Sequence, residues 1–139
     1  YYDADVSAKY SAAPDYFEKA SEAVLEMRRQ TETDMFKDGL MQRGLIIRHL
    51  VLPGNTAQSV KILKWISEKL PCDTFVSIMS QYTPCGEAFK YKDLRRKIVS
   101  AEYDKVINTL FDLGLKNGFM QEKTAAKTVF IPKFDLTGV

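Results

Sequence analysis

Three groups of side chains in this sequence could do chemistry. The first is Arg48 with His49, set inside an otherwise apolar run from Leu45 to Leu52 in the stretch RGLIIRHLVLPGN. A guanidinium carries five N–H donors in a fixed fork and pairs with carboxylates and other anions. Buried without a partner it is very costly. Arg48 in a strand apolar on both faces therefore implies either an internal Asp or Glu or an anionic ligand. His49 could serve as acid, base or metal ligand. No Ser, Cys or carboxylate stands beside it as a triad partner, and the chain has no second His. It reads as a hydrogen-bonded packing residue.

The second group is Ser80 and Gln81, in the stretch MSQYTP that follows TFVSI. Both can hold a polar ligand group, or simply make the turn that Ser, Thr and Pro favour. The third is the basic run Lys90, Lys92, Arg95, Arg96 and Lys97. Such a run could meet phosphates or an acidic partner, but is more often a solvated surface. Cys72 and Cys85 form neither a disulfide framework nor a zinc site. They read as unpaired thiols of a reducing cytoplasm.

Elements must position these groups. Phe17, Ala20, Val24 and Met27 recur at helical spacing and predict a helix over 14–30. Thr31 to Asp38 reads as a polar connection broken by Gly39. Leu45 to Leu52 predicts a strand buried on both faces, as in parallel sheets. Pro53-Gly54 ends it, and Asn55 can cap a helix that carries Val60, Leu63 and Ile66 to Pro71. Thr74 to Met79 predicts the next strand. Residues 85–99 lack a period. Ser100 can cap a third helix with Tyr103, Val106, Ile107, Leu110 and Phe111 on one stripe, stopped by Gly114. Thr128 to Ile131 predicts a last short strand. The alternation gives an α/β class with a parallel sheet. In such sheets the working site lies at the carboxyl ends of the strands. Here those ends are Leu52 to Asn55 and Met79 to Pro84.

Composition bounds the function. The 139 residues suit one domain, spanning 1–139. A net charge of +2 sets no strong field and argues against a dedicated nucleic-acid binder. No run of 18 apolar residues is present, so no membrane span is expected. No secretory signal is visible. The chain opens at Tyr1-Tyr2-Asp3 without Met, as a trimmed or excised piece would.

The phrases RGLIIRHLVLPG (43–54) and VSIMSQYTP (76–84) stand between KYSAAPDYFEKASEAVLEMRRQ and SAEYDKVINTLFDLGLKNGFMQE. Together they resemble radical S-adenosylmethionine proteins related to the pyruvate formate-lyase-activating enzyme, over residues 1–122. The resemblance implies a (β/α)6 partial TIM barrel, of which this chain is the C-terminal half. It implies S-adenosylmethionine and a [4Fe-4S] cluster as cofactors, the cluster held by three cysteines in a CxxxCxxC motif. It implies reductive cleavage to a 5′-deoxyadenosyl radical that abstracts hydrogen from a substrate or from a partner such as a glycyl radical enzyme. The chain departs from the family because it has no CxxxCxxC motif. The cluster ligands and the glycine-rich strand end would lie upstream, and this piece alone would not turn over. By position, Arg48 matches the family's strand arginine on the cofactor side, and Ser80 and Gln81 fall where relatives contact the adenosyl part. A half-barrel also exposes a strand edge and an apolar inner face, so self-association as a dimer is expected. The competing reading is a non-enzymatic nucleotide- or phosphate-binding α/β module built on Arg48 and the Pro53-Gly54-Asn55 turn.

Overall fold

Hydrophobic periodicity places most of the helices and parallel strands where the chain builds them. The computed structural model describes residues 1–120, and the strand expected at 128–131 lies outside them. The chain opens with helix α1 (Ala4–Ser11), in a stretch where the sequence predicts no element. No apolar stripe holds this helix. It is fastened instead by polar contacts. The amides of Tyr2 and Asp3 donate to Gln58 Oε1 at 2.9 and 2.8 Å, and Gln58 Nε2 donates to Asp3 Oδ2 at 2.7 Å. Ser7 is fully buried, and its hydroxyl donates to the Ala4 carbonyl at 3.0 Å.

Helix α2 (Tyr16–Thr31) follows, close to its expected bounds, yet none of its residues is buried. The connection after it is not a loop. Strands β1 (Met35–Lys37) and β2 (Leu40–Arg43) form an antiparallel hairpin. Asp38 and Gly39 at its tip have φ of 52° and 77°. Positive φ at both central residues is the turn that matches strand twist, and Asp-Gly is its usual sequence.

The main sheet is parallel, in the order β3 (Ile46–Leu50), β4 (Phe75–Met79), β5 (Gly118–Met120). Helix α3 (Thr56–Lys69) joins the first pair, and helix α4 (Ser100–Asp112) joins the second. Single 3₁₀ turns at Gly86–Lys90 and Asp93–Arg95 lie between β4 and α4. Helix α4 starts one residue earlier than a Ser100 cap would give, with Val99 in the capping position. Gly114 stops it with φ of 69°. The short strand β5 lies where no strand is expected from the sequence. Gly118 is required there because a Cβ would sit 2.8 Å from Leu110 Cδ2, so α4 packs directly on the β5 backbone.

Both crossover helices cover one face of the sheet. Leu63 and Ile66 of α3, Val106 and Leu110 of α4, and Val76 and Ile78 of β4 form one buried cluster with Val51. The opposite face carries Ile46, Arg48 and Leu50 of β3 beside Phe75, Ser77 and Met79 of β4, and none of these six is buried. The expectation of a strand buried on both faces is therefore corrected. Strand β3 buries its Ile47 and His49 side toward the helices, while Ile46 keeps 44% exposure on the other. The mixed α/β class holds, with the antiparallel hairpin added to the parallel strands.

Candidate functional site

Parallel pairing in register puts the carboxyl ends of β3 and β4 level, with Arg48 opposite Ser77 and Leu50 opposite Met79. Arg48 lies on the open face and is exposed. The internal ion pair expected for a buried guanidinium is absent, because this cation is not buried. Among the described residues no carboxylate pairs with it. Its Nη2 donates instead to the Met79 thioether at 3.1 Å. Sulfur is a weak acceptor, so most of the fork keeps its donor capacity.

Gln81 arrives at the same sulfur from the loop above, with Nε2 at 3.8 Å from Met79 Sδ. The structure thus brings Arg48 and Gln81 together through Met79. The sequence offered no reason to single out Met79, since an isolated Met in a strand reads as packing. Its pairing with Leu50, two residues past Arg48, supplies the geometry.

Ser80 does not join this group. It continues the buried row Thr74, Val76, Ile78 on the helix side of β4. Its Oγ is buried and has no hydrogen-bond partner. An unsatisfied buried hydroxyl costs about 1–3 kcal/mol, so this atom offers an unused donor and acceptor just beneath the strand end.

His49 is a packing residue, as its surroundings in the sequence implied. Its Nε2 lies 2.8 Å from Ser59 Oγ on α3. Burial against the helices pushes the imidazole down to about 4, so it is neutral at physiological pH.

The end of β3 is tied to α4. Gly54, with φ of 71°, donates its N–H to Glu102 Oε1 at 2.7 Å. Arg96 grips the same carboxylate with two N–H groups at 2.7 and 2.8 Å, and the Val99 amide donates to it at 3.1 Å. These donors hold Glu102 down to about 2, the Arg96 fork contributing most. A carboxylate thus occupies the place where a phosphate would meet the Gly54 amide. The basic run is partly neutralised as well, with Lys90 paired to Glu87 and Arg96 to Glu102.

The cluster implied by the resemblance does not fit these residues. Cys72 and Cys85 are exposed free thiols before and after β4. Among the described residues no three His, Cys, Asp or Glu side chains converge as a metal site. The side chains that could meet the S-adenosylmethionine carboxylate or ribose are Arg48 and Gln81, both exposed and both directed at the Met79 sulfur. No helix among the described residues is long and apolar enough to cross a membrane. Comparison with family models, with curated proteins and with solved structures found no match to this chain.

Proposed function

We propose that this chain forms one part of a radical S-adenosylmethionine enzyme of the pyruvate formate-lyase-activating type, the C-terminal half of its partial barrel. The motif resemblance supports this reading, and so does the architecture. Strands in the sequential order β3-β4-β5 with both helices on one face are wound in one direction, as in a barrel wall, and leave the other face for an interior. The observation that carries the proposal is Arg48, an exposed guanidinium without a carboxylate, set beside Gln81 at the strand ends of that open face.

The cluster and S-adenosylmethionine together would supply a 5′-deoxyadenosyl radical for hydrogen abstraction. Residues of this chain hold no cluster, so its own part is binding. Arg48 donates charge-assisted hydrogen bonds to the cofactor's carboxylate or ribose edge. Gln81 donates or accepts beside it. A glycyl radical enzyme is the partner class this reading favours, with the cytoplasm as its compartment.

Sequencing the reading frame upstream of Tyr1 tests the proposal. It requires three cysteines at CxxxCxxC spacing, and an extended frame without them removes it. The nucleotide- or phosphate-binding alternative is disfavoured by Glu102, whose carboxylate already accepts the Gly54 amide and would repel a phosphate.

A further inference from the structure

Met79 stands where two N–H donors from separate segments converge. Arg48 Nη2 reaches its sulfur from β3 at 3.1 Å, and Gln81 Nε2 reaches it from the loop above β4 at 3.8 Å. The Met79 side chain is half-buried on the open face, two residues past Ser77, the register partner of Arg48. Met27 and Met35 are more exposed, at 52% and 54%. Among the described residues Met79 is the one methionine whose sulfur accepts hydrogen bonds. A methionine in a strand ordinarily fills an apolar gap. This one is turned into the polar group instead.

A thioether is a poor acceptor, so Arg48 and Gln81 hold it loosely and keep donors for a ligand. Its sulfoxide differs, because oxidation turns a flexible apolar side chain into a polar, chiral one. The step is an oxygen transfer from a peroxide. The O–O bond of hydrogen peroxide breaks, one oxygen bonds to Sδ, and the other leaves as water. Sulfur gives up the electron pair that reduces the peroxide. The new oxygen stands one bond beyond the sulfur, within reach of both N–H groups already aimed at it. Rotatable bonds of the methionine let either epimer turn its oxygen toward them. A bond from Arg48 to that oxygen is charge-assisted, roughly twice as strong as a neutral one.

We propose that Met79 is an oxidation site that governs Arg48. As a thioether it leaves the guanidinium open to an anionic ligand, and as a sulfoxide it captures it together with Gln81. The added oxygen takes the place that a ligand oxygen would need in order to accept from both side chains. Reduction restores the open state, since methionine sulfoxide reductases act on one epimer each. The loss of cofactor binding rests on the function proposed above; the capture of Arg48 does not, because all three groups belong to this chain. Cys72 and Cys85 are exposed thiols that a peroxide also attacks, so they are replaced in the test.

The test treats the chain carrying Cys72→Ser and Cys85→Ser with dilute hydrogen peroxide. Peptide mass spectrometry should find Met79 as its sulfoxide. NMR should then show the Arg48 Nε–H and Gln81 side-chain amide signals displaced, with several-fold slower exchange with water. The two epimer-specific reductases together should return both signals to their starting positions. Met79→Leu should make both signals indifferent to peroxide, although Met27 and Met35 still oxidise. Affinity for S-adenosylmethionine should fall about ten-fold on oxidation, the worth of one hydrogen bond to a charged group. Failure of S-adenosylmethionine to bind the untreated chain counts against the cofactor reading; displaced Arg48 and Gln81 signals still uphold the capture. Met79 remaining a thioether when Met27 and Met35 are oxidised, or a Met79 sulfoxide with both signals unmoved, overturns the proposal.

Discussion

Acid should weaken this fold in a window set by its one histidine. In the unfolded chain the imidazole titrates near 6.5. In the fold, burial lowers it to about 4. Between those values unfolding takes up one proton, so stability falls by about 1.4 kcal/mol for each pH unit of acidification. The stabilisation is complete above pH 6.5 and is lost as pH drops toward 4. Over the whole window the loss approaches about 3 kcal/mol, and partial exposure of the ring trims it to about 2–3 kcal/mol. Urea melts at half-unit steps from pH 7.5 to 4.5 would measure it. The comparison protein is His49→Gln, which keeps a side chain able to bond Ser59 Oγ. The amino group of Tyr1, itself lowered by burial, is present in both proteins and repels the imidazolium, so the difference reports His49 together with its coupling to that group. Glu102, lowered from 4.5 to about 2, contributes mainly below pH 4.5, where these melts end. A wild-type stability flat from pH 6.5 to 5, or an equal loss in His49→Gln, would refute the reasoning.

Other outcomes follow from the same contacts. Glu102→Ala removes the acceptor of Gly54, Val99 and Arg96 together and should lower stability by about 2 kcal/mol in chemical denaturation. Acid should also remove this carboxylate's share of stability, as pH falls from 4.5 toward 2. Gly54→Ala forces a Cβ to within 3.0 Å of Asp93 Cβ at a positive φ, and should cost about 1–2 kcal/mol by thermal melting. Leu110→Ala empties a fully buried site against Gly118 and should cost about 2–5 kcal/mol. Arg48→Ala removes an exposed side chain with no ion partner and should move stability by less than about 0.5 kcal/mol.

Elements with a clear apolar period were legible in the sequence. The stripe from Tyr103 to Leu110 predicted α4, and Val60, Leu63 and Ile66 predicted α3, because burial imposes the 3.6-residue period. Helix α1 was not legible, since Asp3, Gln58 and Ser7 hold it through polar contacts that leave no period. The Asp38-Gly39 turn signal was present, but the short exposed strands around it, with Phe36 half exposed, carried too little alternation to be recognised. Strand β5 was missed because its contribution is a bare backbone at Gly118.

The site divided in the same way. Arg48 was identifiable as a cation inside an apolar strand, and Gln81 as a polar side chain at a strand end. Their meeting at Met79 depends on register, which local sequence does not encode. Ser80 was singled out for its chemistry, yet strand alternation turns it into the buried row. The burial argument for Arg48 failed for an informative reason. An apolar strand implies cover on both faces, and here, among the described residues, the second face is covered only at Phe75, where Phe36 of the hairpin stacks, leaving Arg48 exposed. The same openness leaves the guanidinium available to a ligand.

The most direct measurement is an NMR titration of the chain with S-adenosylmethionine, following the Arg48 side-chain Nε–H and the Gln81 side-chain amide. The account predicts saturable shifts at both groups that Arg48→Ala abolishes and that decarboxylated S-adenosylmethionine reduces. Unmoved signals at millimolar cofactor, or shifts unaffected by Arg48→Ala, would contradict it.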